Sequence, residues 1–242
     1  MTRFAHAVLI LHGGRAQGRE PTAPTQLAVL RMIPFERAVR RAVRGRDVAV
    51  SRPRFRVRGW NGAEALPVAD LHELVEGLGV PTVLIGHSMG ARAALRMAGH
   101  PLVVAVAALA PWLPAGEPAG HLGDTRVLLA HGDRDTVTDP RATWAYAERS
   151  RRGSVRAHDP VRARGAGRVR DADVPAFRGP GPGAGVAEIE VAGEGHAMLR
   201  RAALWHRLAV EFTLLSLDRS SEAGPVTNAF QRAAAGLPRP TV

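Results

Sequence analysis

Residues 82–90 read Thr82-Val83-Leu84-Ile85-Gly86-His87-Ser88-Met89-Gly90, an apolar run that stops at a G-x-S-x-G pentapeptide. The run predicts a buried strand. The residues from Met89 to about position 99 predict a helix, with Ala93, Ala94 and Met97 free to pack on a sheet. A serine lifted on so tight a strand-to-helix turn is strained, and bulky neighbours two residues away would collide. Gly86 and Gly90 remove that clash. The helix N-terminus also points unpaired N–H groups and a positive dipole end at the serine oxygen. The pentapeptide thus offers a nucleophile, Ser88, and an oxyanion donor, the Met89 N–H.

Strand and helix signals alternate on both sides of this elbow. Ala7 to Leu11 is a short apolar run ended by His12-Gly13-Gly14. A helical stretch over roughly 25–44 follows, with Pro34 expected to kink it. Val48-Ala49-Val50 begins a second strand, continued by an extended segment through Arg58. Pro67 opens a helix whose face is Leu71, Leu74, Val75 and Leu78, and Gly79 can close it. Apolar strands follow at Val103–Leu109 and Val127–Ala130. Asp139-Pro140 opens a helix to about Arg149. Ile189 and Val191 mark a last strand, and Leu199 to Leu217 a final amphipathic helix. Uninterrupted apolar strands separated by helices imply an α/β fold with about six mostly parallel strands and helices on both faces.

With 242 residues the chain suits one sizeable core, taken as a single domain over 1–218. Residues 150–186 are rich in Arg, Gly and Pro and read as a mobile insertion, and 219–242 as a weakly ordered tail with a short helix around Thr227 to Ala235. Cysteine is absent, which excludes disulfides and thiolate chemistry. The first residues lack a signal-peptide layout, and the longest apolar run, Val103 to Pro114, is too short to span a bilayer; both predict a cytoplasmic chain without a membrane partner. The net charge is +11, every basic residue being arginine, and residues 149–170 hold eight arginines against the single acid Asp159. That stretch has no interleaved aromatics, so a solvated loop is preferred to a nucleic-acid contact.

In open parallel sheets reactive groups gather at the carboxyl ends of strands. Four such ends carry useful residues: His12-Gly13-Gly14, Ser88, the turn His131-Gly132-Asp133-Arg134-Asp135, and Gly193-Glu194-Gly195-His196. For the acid, Asp133, Asp135 and Asp139 compete, Asp139 reading as a helix cap and Asp133 as a turn residue. For the base, His196 competes with His12, His87, His131 and His158; His12 and His131 read as structural groups bonded to backbone near the site. No histidine pair has metal-ligand spacing on a helix, and neither a metal nor a cofactor is expected.

These four motifs, in the order Ser…Asp…His, resemble those of the α/β-hydrolase family over roughly residues 6–217. The resemblance selects Asp135 as acid and His196 as base. It implies that Ser88 attacks an acyl carbonyl, that His196 moves the proton, that Asp135 orients the imidazole, and that the N–H groups of Gly14 and Met89 form the oxyanion hole. Trp112 and His87 are candidate substrate contacts. Relative to the family, the two antiparallel edge strands are missing. Only about 15 residues separate the strands ending near Leu109 and starting near Arg126, leaving no room for a helical cap. Asp135 and His196 are 61 residues apart because of the insertion. The implied activity is hydrolysis of a small-molecule acyl substrate, a carboxylic ester first, with thioesters or acyl-peptides served by the same residues. A binding or scaffold protein on the same fold is the non-enzymatic alternative.

Overall fold

Along every central strand the side chains alternate between two cores. Val8, Ile10, Val83, Ile85, Ala105, Ala107, Leu128 and Ala130 face one side; Leu9, Leu11, Leu84, Val106, Ala108, Val127 and Leu129 face the other. A pleated strand sends successive side chains to opposite faces, so a run apolar at every position is buried on both. The computed structural model describes residues 4–123, 125–157, 185–217 and 224–242. Its strands are β1 (His6–Leu11), β2 (Val48–Ser51), β3 (Thr82–His87), β4 (Val103–Leu109), β5 (Arg126–Gly132) and β6 (Val186–Val191). They form one parallel sheet in the order β2-β1-β3-β4-β5-β6.

Helices α1 (Leu27–Leu30), α2 (Ile33–Ala42), α3 (Leu66–Leu78), α4 (Met89–Arg96), α5 (Pro140–Ala157), α6 (Ala202–Ser216) and α7 (Pro225–Ala234) connect and cover it. Residues of α2, α6 and α7 join the first core, and those of α3, α4 and α5 the second. On α6, Trp205, Leu208 and Phe212 are fully buried, each worth about 1.5–3 kcal/mol relative to exposure. The expected sheet is thus present, without antiparallel strands among the described residues. Among the described residues the β4–β5 connection holds only turns and loop, with no helix to cap the carboxyl edge.

Three expectations are corrected. The helix expected over 25–44 is two helices, because Pro34 lies in the first turn of α2, where its missing N–H is harmless, rather than inside one long helix. Helix α5 runs past Arg149 to Ala157, and two arginines of the basic stretch are held by the body of the protein. Arg149 donates to the Glu117 carbonyl at 3.3 Å, and Arg151 is ion-paired with Glu188. The described part of the tail is ordered: α7 buries Val226, Ala229 and Phe230, and residues 240–242 lie along β6. There Pro240 O accepts from Glu190 N–H at 3.0 Å and Val242 O from Ala192 N–H at 2.9 Å. The insertion's remaining residues 158–184, with His158, lie outside the described residues.

Candidate active site

Ser88 is the first residue beyond β3 and the N-cap of α4, at φ 55°, ψ −115°. That backbone is unfavourable for any residue with a Cβ and is held from both sides. Ser88 N–H donates to Leu109 O at 3.1 Å, while Ser88 O accepts from Arg92 N–H at 3.1 Å and Trp112 N–H at 3.2 Å. The flanking glycines are steric necessities. A Cβ on Gly86 would lie 2.5 Å from Ala91 N, in the first turn of α4. One on Gly90 would lie 2.5 Å from His12 O, at the end of β1. The loop after β1 closes on the elbow: a Cβ on Gly13 would stand 3.3 Å from the Ser88 Cβ, and one on Gly14 2.5 Å from the Met89 sulfur. Among the described residues the Gly14 N–H has no hydrogen-bond acceptor, and the Met89 N–H opens a helix, where amides have no partner in the ladder.

Asp135 follows β5 in a tight turn that puts its side chain under five donors. Oδ1 accepts from the N–H groups of Val137 at 2.8 Å and Thr138 at 2.9 Å. Oδ2 faces His196 Nδ1 at 2.8 Å, the Thr138 hydroxyl at 2.8 Å and His131 Nε2 at 3.0 Å. Burial alone would raise this carboxyl, but the bonds from His131, His196, Thr138 and Val137 together outweigh it and hold it well below the usual carboxylate range. Asp133 and Asp139 are exposed, and Asp139 accepts from Arg141 N–H at 2.9 Å, as a capping residue does. Of the three competing acids, only Asp135 meets His196.

His196 stands on the loop after β6. Its Nδ1–H points at Asp135, which leaves the Nε2 lone pair available. Among the described residues no hydrogen bond joins Ser88 Oγ to that ring. A residue that the sequence did not single out builds the loop: Glu194, 2 % exposed. Its carboxylate accepts from the N–H groups of Gly195 at 3.0 Å and Arg201 at 2.7 Å, while its carbonyl accepts from Arg134 N–H at 3.0 Å. Gly132 leaves room for this packing, since a Cβ there would sit 2.7 Å from Glu194 C.

The other candidates are placed as follows. His87 is buried; its ring lies 4.7 Å from that of His196, and its Nε2–H donates to His196 O at 2.9 Å. Burial, the neighbouring charges of His196 and Arg31, and only partial relief from that hydrogen bond push its pKa down to about 3. The ring is thus committed to the histidine loop, not open to a substrate. Trp112 meets the elbow through its backbone, while its indole packs at 6.2 Å from Trp60 and under the Arg92 guanidinium at 4.6 Å. His12 accepts from Phe55 N–H at 3.1 Å, a structural bond to backbone as expected. His131 differs: it binds the Asp135 side chain and, through Nδ1, the Thr143 hydroxyl at 2.7 Å. Elsewhere, ligand atoms of His72, Glu76 and His100 lie within 4.8 Å of one another. Leu102 N–H donates to His100 Nδ1, so His100 Nε2 keeps its proton and gives it to Glu76 at 2.7 Å, the wrong tautomer for coordination through that atom.

A doubly covered parallel sheet with a strained serine, an acid and a histidine beyond the carboxyl ends of β3, β5 and β6 defines the α/β-hydrolase class. The chain belongs to the Alpha/beta hydrolase family, whose profile matches residues 8–242. No curated protein matches it. Among solved structures it is similar to Est1E from Butyrivibrio proteoclasticus, at 11% identity and TM-score 0.57 over 90% of each chain. XC6422 from Xanthomonas campestris, described as a serine hydrolase without lid, matches at 17% identity and TM-score 0.53, over 92% of this chain and 85% of that one. A Paleococcus ferrophilus monoacylglycerol lipase matches at 15% identity and TM-score 0.54, over 87% and 94%.

Proposed function

We propose that this hydrolase cleaves carboxylic esters through an acyl-enzyme on Ser88. The observation that carries the reading is the 2.8 Å contact of His196 Nδ1 with the carboxylate of Asp135, which leaves Nε2 as the free basic atom at the same sheet edge as the strained Ser88. Ser88 Oγ attacks the carbonyl carbon as its proton passes to His196 Nε2. The oxyanion takes the N–H groups of Gly14 and Met89, a stabilisation on the order of 3 kcal/mol per donor. His196 then gives the proton to the departing alcohol, and water releases the acid by the reverse sequence. His87 and Glu194 act through His196, as positioning residues. Among the similar structures, one described as a monoacylglycerol lipase favours an ester over other acyl compounds.

Two measurements test this. A fluorophosphonate probe should label wild-type protein at Ser88 and leave Ser88→Ala unlabelled. A panel of short- and medium-chain esters and thioesters should be hydrolysed by wild type and by Ser88→Ala at least about 1,000-fold more slowly. Equal rates for the two proteins would overturn the catalytic reading, and thioester preference would overturn the ester assignment.

A further inference from the structure

Between α1, the start of α2 and the chain just after His196 lies a cavity of about 290 Å³ lined by Leu27, Leu30, Arg31, Phe35, Met198 and Leu199. Leu27 and Leu199 are 77% and 68% exposed, a grouping of apolar surface that marks a binding place rather than a core. The cavity borders the loop that carries His196: two of its walls follow His196 by two and three residues, and Arg31 acts electrostatically on His87, whose ring lies 4.7 Å from that of His196. It holds a single full charge. Arg31 is half-buried, and among the described residues its guanidinium has no carboxylate, carbonyl or aromatic partner. By contrast, Arg52, Arg56, Arg92 and Arg96 all have carboxylate partners. Burial lowers Arg31's pKa with no anion acting against it, and burial also lowers that of His206, another residue of the cavity wall.

A half-desolvated cation without a partner among apolar walls is complementary to an amphipathic anion. The walls take the apolar body, and the planar guanidinium takes a carboxylate through parallel N–H bonds. We propose that this cavity is a substrate subsite selecting esters that carry a carboxylate on an apolar portion, with Arg31 as the specificity-determining residue. The inference rests on the ester-hydrolase reading for its catalytic consequence, but the binding it asserts does not need catalysis.

Direct titration therefore comes first. Wild-type protein should bind 4-phenylbutyrate at least 10-fold more tightly than 4-phenylbutanamide, and Arg31→Gln should bring the two affinities together. Equal affinities in wild type, or a difference that survives Arg31→Gln, would overturn the subsite. Arg31→Lys, which keeps the charge but not the fork, should retain an intermediate preference and guards against a merely misfolded Gln variant; a thermal melt of each confirms folding.

The kinetic arm compares kcat/KM for 4-nitrophenyl hexanoate, the mono-4-nitrophenyl ester of hexanedioic acid, and 3-carboxy-4-nitrophenyl hexanoate. One carboxylate ester should exceed the neutral one by 10- to 100-fold, and which one does tells whether the cavity holds the acyl or the alcohol half. In Arg31→Gln the ratio should fall toward one. A neutral ester preferred by wild type, or a ratio unmoved by the substitution, argues against the subsite. Failure of the catalytic reading shows differently: all three esters would be hydrolysed at the rate of Ser88→Ala, while the titration would still decide the cavity.

Discussion

His87 Nε2–H donates to the backbone carbonyl of His196 at 2.9 Å, so the residue before Ser88 holds the loop that carries the proposed base. An imidazolium could donate this bond as well; it is burial that keeps His87 neutral. The folded pKa is pushed down to about 3, whereas an unfolded histidine titrates near 6.5. A base depressed in this way stabilises the fold fully above about pH 6.5, and the contribution is lost as pH falls toward 3, at about 1.4 kcal/mol per unit. Asp135, depressed below the usual carboxylate range, acts in the same direction but only below about pH 4. Melts at intervals from pH 7.5 to 4.5 should show stability falling already below pH 6.5. His87→Asn should flatten that slope.

Strain at Ser88 is separable from chemistry. Ser88→Gly relieves the φ of 55° and should raise stability by about 1 kcal/mol, a few degrees in Tm, while ester hydrolysis disappears. A Tm equal to or below wild type in a folded variant would count against stored strain.

Two glycines offer opposite outcomes for one chemical change. Gly90→Ala drives a methyl to 2.5 Å from the His12 carbonyl and should destabilise by about 2–3 kcal/mol. Gly77→Ala, on the exposed side of α3 with nothing within reach of the added Cβ, should stabilise by about 0.5–1 kcal/mol. Chemical denaturation of both variants checks the pair.

Behind the elbow, Glu117 is 4% exposed and paired with Arg92 at 2.6 Å and with Arg96, while the Arg92 guanidinium lies 3.8 Å over Trp60. Removing one partner strands a buried charge. Glu117→Ala should destabilise by about 3–5 kcal/mol, measured by urea unfolding at pH 7.

Much of this architecture was legible in the sequence because the central strands carry large or small apolar residues at every position, as with Val83, Leu84 and Ile85. Gly86 and Gly90 announced the elbow for a steric reason that the packing around them bears out: a Cβ at either would clash with backbone atoms. The choice of Asp135 over Asp133 and Asp139 came from a motif, not from physics, and the physical ground is burial under five donors. Other features depend on partners that no local pattern reveals. Glu194 looks like any polar turn residue until its carboxylate is seen holding the amides of residues 195 and 201. Arg92 and Glu117 are 25 residues apart. The short helix expected around 227–235 is α7, but its docking was not legible, because only Val226, Ala229 and Phe230, spaced i, i+3, i+4, carry its packing amid small and polar neighbours.

The strand that delivers His196 is also the outermost strand of the sheet. An outer strand exposes a row of unsatisfied amides and carbonyls that another molecule can recruit. Residues 240–242 occupy that row at Glu190 and Ala192, so they act as an edge guard. Cutting back to residue 238 would bare the edge, and self-association should set in before ester cleavage fails.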